Sequence, residues 1–404
     1  MPLLRIAWRN VWRNGRRSGV TVAAMALGLI VMIVYSALME GYLGDMERRI
    51  LELEIGDLQV FDVEYRRDPS VHTRIEDPDV VLGSLEAAGM QAAPRLLAWG
   101  LAAVDEASAA VSLRGVDVER ERTVSRIHEH VATGRWLRPG ERETVVLGRR
   151  LARTVAAELG DELFVLSQGA DGSLAYGLFE VVGILDSVGD ATDRTAVYLT
   201  ADAYRSLMAF AAGAHQIVGR RSPDADLAVL AERVRARLPE LDVRTWRELA
   251  PTLASMLDSA RSAMLIMIVI VYLAIGILIL NAMLMAVFER VREIGVLKAL
   301  GAGPGRVLAM VGLESVIQAV LAIGVSLVVG LPAVGYLRDH GIDLGLLAGT
   351  SVMGIAMDDR WYAVVRPSVF VTPIGMLLVI VAAAVAYPAI RAALIRPVDA
   401  MRDR

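Results

Sequence analysis

Cysteine is absent from all 404 residues, which excludes disulfides and thiolate metal ligands in any compartment. Lysine is nearly absent as well: Lys298 is the single one, and arginine fills the other basic positions. Because Leu297 precedes that lysine, no G-x-x-x-x-G-K-[ST] phosphate loop can be written on this sequence. Aromatic residues make up only 5%, and a formal net charge of -4 gives no footing for nucleic acid. Convergent catalytic groups are also wanting. Asp186, Asp190 and Asp193 sit in a glycine-interrupted stretch that reads as a solvated acidic loop. His128 and His130 flank Glu129, but two alternating histidines without a third ligand read as a surface strand or loop. The expectation is therefore of no catalytic residue, no bound cofactor and no metal.

What the sequence has in abundance is apolar surface, 55% of its residues, beside 22% that are charged. Such a mixture folds only if the two kinds are segregated. They are, into nearly uncharged windows at 18–39, 263–287, 307–337 and 369–390. A bilayer core of ~30 Å needs about 20 helical residues, so each window is long enough to cross it. Four transmembrane helices are predicted, at 18–40, 262–288, 306–337 and 369–390. The 41–261 segment between the first two is of mixed polarity and, at about 220 residues, long enough to bury a core of its own.

Basic residues set the predicted orientation, because cytoplasmic flanks retain positive charge. Arg5, Arg9, Arg13, Arg16 and Arg17 precede the first window; Arg290, Arg292, Lys298 and Arg306 lie between the second and third; Arg391, Arg396, Arg402 and Arg404 follow the fourth. All three flanks are expected in the cytoplasm, with both termini there. The 41–261 domain and the 338–368 loop are then extracytoplasmic. Residues 1–17 read as an interfacial helix, with Arg5, Arg9 and Arg13 repeating at i+4 beside Leu4, Trp8, Val11 and Trp12. The apolar window after it is too long for a secretory signal, and no small-residue cleavage site closes it before Glu40.

Within 41–261 the apolar pattern shortens and alternates. Strands are predicted at 56–61, 109–116, 144–147, 161–166, 178–185, 196–199, 216–219 and 242–245, and helices at 148–158, 201–212 and 224–238. Without a regular βαβ period this is an α+β domain. The stretches 43–54 and 246–262 look continuous with the adjoining spans, as helical stalks.

The most specific segment follows the second span: Glu289-Arg-Val-Arg-Glu-Ile-Gly-Val-Leu-Lys-Ala-Leu-Gly-Ala302. It reads as a short amphipathic helix, charged at Glu289, Arg290, Arg292, Glu293 and Lys298, apolar at Val291, Ile294, Leu297 and Leu300, and stopped by Gly301, Gly303 and Pro304. A helix pinned between two spans with one charged face is suited to docking a soluble partner. Glu314 lies about 12 Å along the third helix from Arg306. A carboxylate there is costly unless paired, so it is expected to tie that span to the short helix, through its backbone or Lys298. Asn281 and Gln318 invite reading as interhelical hydrogen bonds.

These residues resemble the FtsX-like, or MacB-like, permease family of ABC transporters, in which an E-R-x-x-E-I-G-x-x-K-A-x-G-A stretch is the coupling helix that contacts the ATPase. The opening Ala7-Trp-Arg-Asn-Val-Trp-Arg-Asn14, the Glu314-Ser315 pair and the closing Tyr387-Pro-Ala-Ile-Arg-Ala-Ala-Leu-Ile-Arg-Pro-Val-Asp-Ala-Met-Arg402 carry the same likeness. Gly134-Arg-Trp-Leu137, Val145-Val-Leu-Gly-Arg-Arg-Leu-Ala152 and Gly160-Asp161 are similar to the family's periplasmic core domain. Ile55-Gly-Asp-Leu-Gln-Val60 and Gly341-Ile-Asp-Leu344 resemble its lipoprotein-releasing branch.

The resemblance implies a permease subunit in a bacterial inner membrane, with its large domain periplasmic and its coupling helix at 289–302. ATP and Mg would be held by a separate ABC ATPase dimer. A second permease chain, identical or related, would complete the core, with membrane lipids around it. Mechanotransmission would then act on a lipoprotein or other amphiphilic cargo. The family also implies two alternatives: a transmembrane regulator of a periplasmic hydrolase, as in its cell-division member, and the permease of a tripartite drug or peptide efflux pump. A free-standing membrane enzyme is the least supported reading.

Overall fold

The computed structural model describes residues 2–13, 15–223, 225–343, 351–352, 355–356 and 360–394. The predicted tail beyond 394 and the resemblance at Leu344 lie outside these residues. The chain divides into two compact units, one made of Met1–Gly44, Leu257–Gly345 and Arg360–Arg404, the other of Asp45–Met256 and Leu346–Asp359.

Among the described residues of the first unit, four helices are long and apolar enough to cross a membrane. The first-span helix is Gly15–Ile50, ending in a π turn at Leu51–Ile55; the second is Pro251–Glu289, the third Pro304–His340 and the fourth Pro367–Leu394. Each is longer than its apolar window; against the stalks expected at 43–54 and 246–262, the first-span helix runs to Ile50 before its π turn and the second-span helix begins at Pro251. Trp246–Leu249 forms a separate short helix, set off by Pro251 at the start of the long one. The four helices share a core of Met25, Leu29, Ile33, Tyr272, Ile279, Val311, Ala322, Leu377 and Val385, among others. Polar side chains stitch it: Ser326 Oγ donates 3.0 Å to the Ala26 carbonyl, joining the third helix to the first. Such bonds contribute little driving force in lipid but fix which helices are neighbours.

The N-terminal helix, Pro2–Arg13, lies against the third span. Its Ala7 and Val11 are buried beside Leu313, Ile317 and Leu321. Leu4, Ile6, Trp8 and Trp12 remain exposed, the two indoles edge to face at 5.9 Å. Val11 thus parts company with the apolar face predicted for it, and the exposed tryptophans keep the composition of an interfacial surface.

The second unit is built on one mixed sheet that holds ten strands among the described residues: β1 (Leu58–Asp62), β2 (Met90–Val104), β3 (Ala107–Val116), β4 (Val131–Gly134), β5 (Thr144–Leu147), β6 (Glu162–Gln168), β7 (Leu174–Leu185), β8 (Ala196–Thr200), β9 (Gln216–Arg221) and β10 (Leu241–Thr245). Six of them close on themselves, since β2 pairs with β3, β3 with β8, β8 with β5, β5 with β7, β7 with β6 and β6 with β2 again. The result is a small barrel-like ring. The remainder extends it: β9, β1 and β10 continue from the first half of β2, and β4 hangs on the end of β7.

Two of these strands were not predicted, β2 and the four-residue β4. Strand β2 is the longest and belongs to both parts of the sheet, yet its sequence, Met-Gln-Ala-Ala-Pro-Arg-Leu-Leu-Ala-Trp-Gly-Leu-Ala-Ala-Val, is rich in helix formers. Packing overrides that preference. Alanines let neighbouring strands approach, and at Gly100 a Cβ would sit 2.5 Å from the Leu166 carbonyl of β6, so the ring closes there only on glycine. Helices Pro78–Glu86, Val118–Val124 and Asp190–Thr195 also went unpredicted. Where helices were expected, the structure has shorter ones, at Arg149–Thr154, Ala201–Leu207 and Leu227–Arg237.

The acidic stretch corrects a second expectation. Asp193 is buried, not solvated, and its carboxylate accepts from Ser187 Oγ at 2.7 Å and the Val188 amide at 2.9 Å, holding the loop from within. Asp186 pairs with Arg149 at 3.1 Å, and Asp190 with Arg150 and Arg194. These are structural ties. Glu129 is likewise engaged by Arg126 at 2.6 Å. Among the described residues no group of three or more His, Asp and Glu could hold a metal.

His215 is the buried polar centre of this unit. It is fully enclosed; its Nδ1 accepts from the Leu97 amide at 3.0 Å, which places the proton on Nε2, 3.1 Å from the Val71 carbonyl. Rings of Tyr65, Tyr204 and Phe210 surround it. Burial pushes its pKa down to about 4, opposed by the bond to Val71 and aided by nearby Arg74. Because the folded state resists protonation, His215 contributes stability that is full above its unfolded pKa near 6.5 and is lost as pH falls toward 4. The expected size is about 3 kcal/mol at most. In thermal unfolding of the full chain in detergent, His215→Asn, which keeps the acceptor, will be less stable than wild type at pH 7.5, with the gap shrinking toward pH 4. A constant gap would remove His215 from the pH response.

Candidate functional site

The second span runs as a helix to Glu289, where Arg290 leaves helical geometry (φ -107°, ψ 13°), and a new helix begins at Val291 and ends at Ala299. Gly301 takes φ +93°, a left-handed conformation open to glycine, and reverses the chain into the third span at Pro304. The helix predicted at 289–302 is therefore a nine-residue one, with the break falling on Arg290. That break has a purpose in space. It turns the Arg290 side chain inward, where Nη1 donates 3.1 Å to Glu314 Oε2 on the third span and Nη2 reaches the Asn10 carbonyl of the N-terminal helix at 3.4 Å. Both partners are almost fully buried.

Glu314 is thus tied to the helix junction by Arg290. Lys298, the partner expected from sequence, is occupied elsewhere: its Nζ donates 2.8 Å to the Ala393 carbonyl at the end of the fourth span. Glu293 pairs with Arg13 of the N-terminal helix at 2.6 Å, and Glu289 pairs with Arg17 at the start of the first span. Gln318 Nε2 donates to Ser18 Oγ at 3.3 Å, again third span to first. The short helix is consequently bonded to the N-terminal helix through Glu293 and to the fourth span through Lys298, while the junction before it, Glu289 and Arg290, is bonded to the first and third spans. Asn281 is different. It is exposed on the second span and has no side-chain hydrogen bond among the described residues.

The two bridges from Arg13 and Arg17 were missed by sequence reasoning, which used those arginines only as a topological signal. A clue was present in the spacing: Arg13 and Arg17 are four apart, and so are Glu289 and Glu293. Pairing them needs the knowledge that the first and second helices lie side by side, which no local pattern carries.

The apolar face also departs from expectation. Ile294 is buried, but Leu297 is 41% exposed and Leu300 82%, with Val296 at 45% and Phe288 at 64%. Arg292 is exposed among them. Most of the charged residues are spent holding the helix in place, and the surface left free is an apolar patch with one arginine.

The profile of the MacB-like periplasmic core domain matches residues 18–237, and that of the FtsX-like permease C-terminal domain matches 265–397. The chain belongs to the FtsX-like and MacB-like permease family. It is an ABC transporter permease, and the short helix lies inside the C-terminal match. Among similar proteins, the lipoprotein-releasing system transmembrane protein LolC of Xylella fastidiosa is 23% identical over 415 residues, 96% of this chain and 95% of its own. The LolC of Neisseria meningitidis is 24% identical over 315 residues, 73% of this chain and 72% of its own. An uncharacterised ABC transporter permease of Methanocaldococcus jannaschii is 26% identical over 210 residues, and the match spans half of each chain. Among solved structures, the periplasmic region of MacB from Actinobacillus actinomycetemcomitans aligns with a TM-score of 0.36 at 15% identity, over 49% of this chain and 92% of that one. The extracellular domain of the YknZ transporter from Gram-positive bacteria gives 0.34 at 13%, over 47% and 98%.

For this permease the Arg290–Glu314 pair can be tested by a double-mutant cycle. Removing one member leaves the other buried and uncompensated, a loss of about 3–5 kcal/mol. Glu314→Leu or Arg290→Met alone is expected to lower the melting temperature of the detergent-solubilised chain sharply, and the double replacement to recover most of it. Additive losses would show that the two residues act independently.

Proposed function

We propose that this chain is the transmembrane subunit of an ATP-driven complex of the mechanotransmission type, with a separate ABC ATPase docking on the helix Val291–Ala299. One observation carries the reading: that helix and its C-terminal cap present Val296, Leu297 and Leu300 with Arg292 outward, while the junction from Glu289 to Lys298 is bonded to the N-terminal helix and to the first, third and fourth spans. A partner pressing on the free face displaces the junction as a whole. The push passes to the four spans, two of which continue as helix into the ends of the mixed-sheet unit's segment of chain. ATP and Mg act on the partner, not here.

Arginine-rich flanks support a threading in which this junction and both termini lie on the cytoplasmic side of a bacterial inner membrane, with the mixed-sheet unit periplasmic. The full-length similarity to LolC supports a lipoprotein or comparable amphiphile as cargo, taken up from the periplasmic side. The likeness of the opening segment, the coupling stretch and the core-domain motifs to one family supports a second permease chain as the other half of the core.

Replacing Leu297 and Leu300 together by Asp will abolish co-purification of the ATPase, a change of about 2–4 kcal/mol at the centre of such a contact. Replacing Glu293 by Gln will leave binding nearly intact and lower ligand-stimulated turnover. Unchanged binding and turnover in both would remove the docking role. Independently, a reporter fused at Asp171 is expected to be active only outside the cytoplasm, and cytoplasmic activity would reverse the threading.

A further inference from the structure

The N-terminal helix Pro2–Arg13 and the turn after it carry more positive charge than the bundle uses. Residues 2–17 contain five arginines and no acidic residue, and the first carboxylate side chain in the sequence is Glu40. Arg13 and Arg17 are taken by Glu293 and Glu289. Arg5, Arg9 and Arg16 are exposed, and none has a carboxylate partner among the described residues. The height of the helix is fixed by its contacts. Gln318 Nε2 on the third span donates to Ser18 Oγ near the start of the first, so residues 318 and 18 are level with each other. Ala7 and Val11 pack on Leu313, Ile317 and Leu321 around that same level. The helix therefore sits where the apolar window of the first span begins, at the surface of the bilayer. Leu4, Trp8 and Trp12 recur every four residues as an exposed stripe, and Arg5 and Arg9 follow about 100° further round. An aromatic stripe bordered by unpaired cations suits the boundary between acyl chains and headgroups, where indoles take the hydrocarbon edge and guanidiniums reach the phosphates.

We infer that this helix is a binding site for anionic phospholipid headgroups, held by Arg5 and Arg9, with Trp8 and Trp12 against the upper part of the acyl chains. A guanidinium meets a phosphate with two parallel N–H donors, which favours arginine in this place. Charge selects among lipids: an anionic headgroup keeps its negative charge, whereas a zwitterionic one offsets it with a cation of its own. Occupancy of the site also bears on the junction. Asn10, next to Arg9, gives its carbonyl to Arg290, and Arg13 holds Glu293, so a lipid that steadies the helix steadies two of the junction's anchors. The inference needs only that the four long helices span a bilayer. It depends neither on the docking of an ATPase nor on the direction of threading.

Tryptophan quenching by brominated lipids tests it on the full chain. In symmetric vesicles of phosphatidylcholine, a small fraction is replaced by phosphatidylglycerol brominated on its acyl chains or by brominated phosphatidylcholine. Both leaflets then carry the same lipid, so threading does not enter. The share of quenching that belongs to Trp8 and Trp12 is the difference between wild type and W8F/W12F. With an attraction of about 5-fold per arginine, brominated phosphatidylglycerol will quench that share at least about 5-fold more potently than brominated phosphatidylcholine. R5Q/R9Q will equalise the two lipids. In wild type the preference will shrink as sodium chloride is raised from about 0.05 to 0.5 M. Equal potency in wild type, a preference that survives R5Q/R9Q, or one indifferent to salt would each overturn the inference. Loss of the preference to inorganic phosphate at matched ionic strength would overturn it too, since the site would then take free anions and not a lipid surface. Co-purification of the ATPase with L297D/L300D is read in separate samples, which keeps failure of the docking proposal distinct from failure here.

Discussion

The ion pair between Arg290 and Glu314 is the constraint around which the membrane unit is arranged. Removing a guanidinium and a carboxylate from water costs several kcal/mol per ion, and the cost is offset only when geometry and further hydrogen bonds are good. Here the geometry is obtained by breaking a helix. Had the second span continued through Arg290, its side chain would have followed the helical surface. The break instead aims it at the third span, and the planar fork leaves a second nitrogen for the Asn10 carbonyl. Lysine would offer a single nitrogen where arginine offers two, separately aimed.

Around that pair the other bonds are weaker and more exposed. Arg13–Glu293 is more than half open to solvent on both sides, and such a pair contributes at most about 1 kcal/mol. Its value is positional: together with Arg17–Glu289 and Lys298 it fixes the orientation of a nine-residue helix too short to be stable alone. A weakly held perimeter around a strongly held centre permits small tilts while forbidding detachment.

Much of this was legible in the sequence. The spans follow from uninterrupted apolar length, and Glu314 announced itself as a carboxylate inside one of them. Seven of the eight predicted strands begin within two residues of the observed ones, because their β-branched and alternating patterns agree with their environment. Strand β2 escaped because its alanines and leucines are chosen for close approach, not for local preference. The partner expected for Glu314 was the backbone of the short helix or Lys298; that Arg290 meets it depends on a one-residue break that composition does not signal. Asp193 was read as solvated because nothing local records that Ser187 and Val188 fold over it.

The closed ring of six strands in the second unit has a mechanical consequence. An open sheet under tension can be unzipped from its edge strand, one ladder after another. A ring offers no terminal ladder: to part at the two-pair seam between β5 and β8, the load must also bend the opposite, four-pair ladder of β6 and β2. Deformation is shared before any strand is lost. A body of this kind returns to its shape once a load is released.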